Sequence, residues 1–399
     1  MVDSTSVEPF RRVRLKNIAT CNDDVLSELT NDFYEIDYVE ISGVSIDKGI
    51  FVTSRYYFYQ APSRARRIVQ AGDVLISTVR TYLKAITVIP ETEKNLVVST
   101  GFCVIRAGFQ ALGEYLGWAL KTNHFISEVM SRSVGVSYPA ITSQEIMRLS
   151  IPLPHLEKQR QIAEYLDRKT AQIDALIAKK QELLDRLAEK RQALITQAVT
   201  KGLDPDVPMK DSGIDWIGQI PAHWEVVQLR HLIKTKSGDA LTNKDMSEAE
   251  EDSFCVPVIG GNGIMGYAEY SNIEESSVVI GRVGALCGNV HISPKVSWVT
   301  DNAISVRIIS KFYLKYLYYV LLSRNLNDLS NRNAQPLITG EMVRSEFVPI
   351  PPMFEQINIG ERIEVINSLR SDEMIQKSIT FLQEYRSALI TSSVTHENN

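Results

Sequence analysis

The residues of this chain best suited to chemistry are cations interleaved with aromatic rings. Between positions 55 and 84 stand Arg55, Arg64, Arg66, Arg67, Arg80 and Lys84 against the single acid Asp73, with Tyr56, Tyr57, Phe58 and Tyr59 among them. Guanidinium and ammonium groups neutralise phosphates, and polar or aromatic side chains beside them meet bases, so this stretch points to a nucleic-acid surface. The ordinary alternative is a solvated basic face over a tyrosine core, and no single residue decides between the two. Further along, Lys234 and Lys236 are candidate phosphate contacts. Asn262, Arg282, Asn289, Arg332, Asn333 and Gln335 carry the donor and acceptor patterns that read base edges. The net charge of −5 taken alone argues against such a partner. It conceals segregation, because residues 244–252 hold Asp245, Glu248, Glu250, Glu251 and Asp252 against only Lys244.

Other chemistries find less support. Cys21, Cys103, Cys255 and Cys287 are far apart, whereas a zinc knuckle needs closely spaced thiolates, so they read as small buried apolar residues. The histidines show no metal spacing. No apolar run reaches the roughly 18 residues that span a bilayer, and the first residues are polar and acidic, so the expected location is the cytoplasm without a membrane partner.

The elements that must position these residues are duplicated. Pro139-Ala140-Ile141-Thr142 recurs as Pro336-Leu337-Ile338-Thr339, and Ile151-Pro152-Leu153-Pro154 as Val348-Pro349-Ile350-Pro351, both at an offset of 197. Gln159 and Ile162 match Gln356 and Ile359 at that offset. Arg191-Gln192-Ala193-Leu194-Ile195-Thr196 matches Arg386-Ser387-Ala388-Leu389-Ile390-Thr391 at 195, so the second copy is two residues shorter there. Weaker echoes precede these, among them Val74-Leu75-Ile76-Ser77 with Val278-Val279-Ile280-Gly281. Shared order and nearly constant spacing make duplication the strongest inference.

Each half opens with short β-branched runs that read as buried strands, residues 73–79 and 102–105 in the first, 278–283 and 303–309 in the second. Helical stretches follow at residues 112–130 and 311–326, where Tyr313, Tyr316 and Tyr319 form a stripe that reads as core. After each proline-rich segment the pattern changes to heptads. Residues 157–199 contain no glycine or proline and form a helix about 64 Å long at 1.5 Å per residue. Leu166, Ile173, Leu187 and Leu194 occupy one seam position, and Ile162, Leu176 and Leu183 the other. Ile359, Ile363, Ile366, Ile375, Ile379, Leu382 and Leu389 supply a partner seam. The economical arrangement is α+β: two mixed α/β modules at opposite ends of a long antiparallel two-helix coiled coil, with pseudo-twofold duplication. The alternative packs each helix on its own module.

Asp211-Ser212-Gly213-Ile214-Asp215-Trp216-Ile217-Gly218-Gln219-Ile220-Pro221-Ala222-His223-Trp224-Glu225-Val226 resembles the signature that opens a recognition module in specificity subunits of type I restriction–modification systems. The Ile-Pro-Leu-Pro segment with Glu157-Lys158-Gln159, the Ala-Leu-Ile-Thr helix ends and Ile280-Gly281-Arg282-Val283-Gly284 resemble the same family, in its order, over nearly the whole chain. The resemblance implies target-recognition domains at residues 1–154 and 223–351, long helices at 155–201 and 352–395, a connector at 202–222 and a tail at 396–399. Each domain would read one half of a split double-stranded DNA sequence. The helices would set the spacer and dock two methyltransferase subunits, through Ile162, Leu166, Ile173, Leu176, Leu183, Leu187, Leu194, Ile363, Ile366, Leu382 and Leu389. Two nuclease/translocase subunits would complete the complex. The resemblance implies no catalytic centre or cofactor on this chain. In keeping with that, the sequence has neither an Asn-Pro-Pro-Tyr or Asp-Pro-Pro-Tyr loop nor a Gly-x-x-x-x-Gly-Lys loop. Two other readings stay open, the recognition part of another restriction or methyltransferase class and a coiled-coil adaptor with no DNA role.

Overall fold

Val74–Ser77 and Val278–Gly281 are buried at every position. A strand with no solvent face must be paired on both edges and covered on both sides. In the computed structural model, which describes residues 10–91, 95–242, 244–330, 336–368 and 371–395, both strands meet this requirement in the same way. Val74–Ser77 lies between Phe102–Ala107 and Ile86–Val88 in an antiparallel sheet edged by Ala19–Cys21. Val278–Gly281 lies between Ala303–Ile308 and Val290–Ile292, edged by Ile233–Ser237. Each half adds a second, mixed four-stranded sheet. In the first, Leu96–Ser99 runs parallel to Glu35–Val39, with Ser54–Tyr57 and Ala65–Ile68 on the edges. In the second, Val256–Gly260 runs parallel to Trp298–Val299. The proline segments close each module as two-stranded ribbons, Arg12–Arg14 with Ser150–Pro152 and Glu225–Gln228 with Phe347–Ile350.

The chain divides into two compact units, residues 1–181 with 375–399, and residues 182–374. The first unit holds helices α1 (Gly113–Leu120), α2 (Asn123–Arg132) and α3 (Ser143–Arg148). The stretch 112–130, read above as one helical run, is divided because the Thr122 hydroxyl accepts from the Phe125 amide and starts a new helix. Helix α4 (Leu156–Lys201) is continuous over 46 residues. It ends at Gly202, whose φ of +77° is cheap only for glycine and whose amide bonds the Ala198 carbonyl at 3.1 Å. The second unit holds α5 (Leu314–Arg324), α6 (Gly340–Ser345) and α7 (Met353–Ser368). Helix α8 (Ser371–Thr395) follows, and residues 369–370 lie outside the described set.

In the first unit α8 runs antiparallel to the opening half of α4. Arg386 pairs with Asp174 at 2.9 Å, while Ile390 and Val394 share a buried cluster with the earlier Ile162, Ala163 and Leu166. In the second unit the end of α4 contributes Ile195, Ala198 and Val199 to a cluster with Ile359 and Ile363 of α7, and Arg191 pairs with Asp372 at 2.7 Å.

Two buried glutamines bolt the helices to their modules. The Gln159 amide donates to the Pro154 carbonyl at 2.8 Å and the Gln110 carbonyl at 2.9 Å, and its oxygen accepts from the Leu112 amide at 2.9 Å. Gln356 repeats this with the Pro351 carbonyl at 2.9 Å and the Tyr313 amide at 2.8 Å. A buried primary amide is tolerated because its donors and acceptor are met. Of the tyrosine stripe, Tyr316 and Tyr319 are core, as read, while Tyr313 is half-buried and turns its hydroxyl to Glu361. Tyr316 is fully buried, and its hydroxyl bonds the Val199 and Pro349 carbonyls at 3.0 and 3.1 Å. Tyr115 makes the corresponding bond to Pro152 at 2.8 Å.

The heptad seam needs correction. Ile162, Leu166, Ile173 and Ile363 are buried within the chain, so they hold it together and offer a partner no surface. Leu187, Ile366, Leu382 and Leu389 are half-buried, and Leu176, Leu183 and Leu194 are exposed. At about 100° per residue a strict seven-residue spacing drifts about 20° per heptad. Four heptads past Leu166, Leu194 has rotated roughly 80° away and Ile195 has come round to the buried face. The buried residues of α4 therefore follow the 3.6-residue period.

Of the cysteines, Cys103 and Cys287 are buried, Cys21 is half-buried and Cys255 is exposed, so the core reading fails for Cys255. Among the described residues, no group of three or more His, Cys, Asp or Glu is arranged to hold a metal, and no helix is long and apolar enough to cross a membrane.

Candidate nucleic-acid interface

The aromatic half of the basic stretch stands on an edge. Ser54–Tyr57 is the outer strand of the first mixed sheet and runs into a 3-10 turn, Phe58–Gln60. Phe58 faces the core, while Tyr57 and Tyr59 face solvent, near-parallel at 6.3 Å between ring centres with 13° between planes. Phe33, 73% exposed, sets its edge against both, at 6.3 and 5.8 Å. Three water-facing rings in contact form a platform of the kind on which bases or sugars stack. Phe33 lay outside the sequence reading, because the segment carrying it is acidic: residues 23–40 hold Asp23, Asp24, Glu28, Asp32, Glu35, Asp37 and Glu40 and no Lys or Arg.

The cations around it divide by environment. Arg55 is exposed and bonds Asp37 at 3.2 Å, an interaction that raises its guanidinium pKa. Arg64 is exposed. Arg66 and Arg67 are half-buried: Arg66 lies over the Phe58 ring at 5.0 Å and bonds the Ala65 carbonyl, and the Arg67 Nε is buried without a hydrogen-bond partner. Arg64 is therefore freer than Arg66 and Arg67 to meet an anion. Arg80 and Lys84 sit on a separate turn that follows the buried strand Val74–Ser77, and both are exposed. Arg106, which bonds the buried Asp73 through two nitrogens at 2.9 and 2.8 Å and Asp24 at 2.7 Å, is structural.

In the second module Lys234 and Lys236 project from the same face of the edge strand Ile233–Ser237. Lys234 stands directly across from Arg307 in the register. Like charges so placed repel unless an anion lies between them or nearby. The three cations line a groove of about 850 Å³ that also takes in Glu274, Glu275 and Ser276. Lys236 additionally approaches Asp239 at 3.5 Å. Arg307 was not among the candidates named from the sequence; it is exposed, whereas Arg106 of the first module is tied down by Asp73 and Asp24. Asn262 is exposed at the tip of the hairpin joining Val256–Gly260 to Gly263–Ala268. Arg282 and Asn289 are half-buried at the base of a turn, Arg282 bonding the Ser237 hydroxyl at 3.0 Å. Arg332, Asn333 and Gln335 lie outside the described residues.

Comparison with known proteins gives these surfaces a context. A family model described as the type I restriction modification DNA specificity domain matches residues 13–186 and again 221–379, once per half. The type I restriction enzyme EcoprrI specificity subunit of Escherichia coli is 27% identical over 165 residues, 41% of this chain and 40% of that protein. The type I restriction enzyme MjaVIII specificity subunit of Methanocaldococcus jannaschii is 24% identical over 292 residues, 66% of this chain and 67% of that protein. The chain thus aligns with only two-fifths of the Escherichia coli protein and about two-thirds of the archaeal one. In fold, it resembles a chain from a structure titled for complex assembly and conformational transition of the type I R-M system, with a TM-score of 0.79 at 21% identity, covering 97% of this chain and 98% of that one. It also resembles the HsdS subunit from Thermoanaerobacter tengcongensis, with a TM-score of 0.55 at 21% identity over 99% of both.

Proposed function

We propose a function from one premise: the chain belongs to the type I restriction modification DNA specificity family, whose model matches both of its halves. As a type I specificity subunit, each of its modules binds one half of a bipartite duplex target. The long helices set the spacer between the halves and dock two methyltransferase subunits, and two nuclease/translocase subunits complete the restricting complex. Methyl transfer and cleavage then belong to those partners, with this chain supplying sequence choice.

The observation that carries the reading is duplication of frame without duplication of surface. The two modules repeat their buried sheets, their proline ribbons and the glutamines at 159 and 356. Outside that frame they diverge. The first exposes the Phe33, Tyr57 and Tyr59 platform, the second a groove lined by Lys234, Lys236 and Arg307. Unlike surfaces on like frames suit two unlike half-sites. Phosphate contacts from Arg55, Arg64, Arg80, Lys84, Lys234 and Lys236 would position the duplex, and Asn262, Arg282 and Asn289 would read bases. For docking, the exposed Leu176, Leu183 and Leu194 offer apolar contact along α4.

Module exchange tests the reading. Replacing residues 10–152 with the corresponding module of a relative of different specificity is expected to change one half of the methylated motif and leave the other half intact. A motif that changes in both halves, or in neither, would contradict it.

A further inference from the structure

The strand Val74–Ser77 and its counterpart Val278–Gly281 lead into turns that correspond residue by residue at an offset of 204. In the first, the Ser77 amide bonds the Ala85 carbonyl at 3.0 Å, the Leu83 amide the Arg80 carbonyl at 2.8 Å, and the Ile141 amide the Thr78 carbonyl at 2.9 Å. In the second, Gly281 bonds Asn289 at 2.8 Å, Cys287 bonds Gly284 at 3.1 Å, and Ile338 bonds Arg282 at 2.9 Å. The bridge between Val79 and Ala140 recurs between Val283 and Leu337. Position 80 therefore equals 284, 82 equals 286 and 84 equals 288.

The backbone is left-handed at both ends of each turn. In the second turn those positions are Gly284 and Gly288, with φ of +72° and +88°. In the first they are Arg80 and Lys84, with φ of +51° and +50°. Long side chains rarely adopt this conformation, and strain of this kind persists where side-chain identity is worth its cost. Core packing does not explain it, since both residues are exposed. Among the described residues neither has a carboxylate partner. Arg80 lies over the exposed Tyr138 ring at 4.9 Å, and the turn is held by the Thr81 hydroxyl against that of Ser133 at 2.9 Å. The tips carry apolar side chains into water: Tyr82 is 49% exposed and Leu286 41%.

We propose that these two turns are the elements that enter the DNA grooves, with Tyr82 and Leu286 meeting base edges at equivalent places in the two half-sites. Arg80 and Lys84 add a phosphate clamp that only the first turn possesses. This rests on the DNA-recognition reading above and assigns unequal roles to its two modules. The first holds the backbone at this turn and the second does not. Gly284 is open to the same device, since an added Cβ there meets nothing within 4 Å, whereas one at Gly288 would lie 2.6 Å from the Asn327 amide nitrogen.

The test uses the full chain co-purified with its methyltransferase subunit, a fluorescein-labelled mixed-sequence duplex and anisotropy titrations across a KCl series. In R80N/K84N asparagine keeps the left-handed turn while both charges go, so the melting temperature is expected to hold. The slope of log affinity against log salt should fall by about 1.8, at about 0.9 per phosphate released. G284R should steepen it by about 0.9. In methylation-motif sequencing, Y82A should relax one half of the motif and L286A the other. An unchanged slope in R80N/K84N overturns the clamp, and motifs unaltered by both tip variants overturn the groove assignment. A wild-type complex that binds duplex at no salt concentration overturns the DNA reading itself, which separates that failure from the other two.

Discussion

Replacing Gln159 by leucine preserves the volume and removes three hydrogen bonds at once. The Pro154 carbonyl is in a buried setting, and leaving it without a partner costs about 1–3 kcal/mol. The Gln110 carbonyl and the Leu112 amide are part-buried and recover water, so each loses about 0.5–1 kcal/mol. The sum, less a small gain from the leucine's apolar surface, is about 2–4 kcal/mol. For a unit of roughly 200 residues this lowers the melting temperature by about 5–15 °C. Q356L removes two of the equivalent bonds and should cost about two-thirds as much, in the transition of the other unit. Differential scanning calorimetry of the full chain separates the two cases if the units melt apart. A loss below about 1 kcal/mol for Q159L would refute the claim that these glutamines fasten the helices to their modules.

Arg106 faces the nearly fully buried Asp73, so R106L should destabilise the first unit by about 3–5 kcal/mol in urea unfolding, and a loss under 1 kcal/mol would count against the pairing. Burial, reinforced by repulsion from Arg386, pushes the Lys121 ammonium down to about 8 from 10.5. The unfolded chain then holds more protons between those two values, so stability should rise with pH across that window, with the penalty fully present below it. K121M should abolish the rise and raise the melting temperature at neutral pH; a slope identical to wild type would dismiss this. Under the proposed ruler, a heptad inserted into residues 157–199 alone should disrupt helix pairing. Matched heptads in both helices should lengthen the spacer of the methylated motif, and a constant spacer after matched insertions would rule the ruler out.

The duplicated frame was legible in the sequence because its determinants are local. Prolines that end ribbons and glutamines that start helices cannot drift without breaking hydrogen bonds, so they stay at a constant offset. The helix seam was legible only in part. Counting sevens places Leu194 on the buried face, but a helix of 3.6 residues per turn brings Ile195 there instead. Counting cations was weaker still. Arg66 and Arg67 add as much to the basic stretch as Arg64, yet they are half-buried beside rings and strands. The sign of φ at Arg80 and Lys84 is invisible in their residue types, although the glycines at 284 and 288 mark the equivalent places.

Selection of a split DNA target through two unlike modules is the role proposed for this chain. It is tested most directly by sequencing DNA methylation across the host genome with and without the gene. One bipartite motif, two specified halves around a fixed unspecified spacer, is expected to be methylated in the presence of the gene and lost on its deletion. A methylome unchanged by deletion while the methyltransferase partner is expressed, or the loss of a single continuous motif, would contradict it.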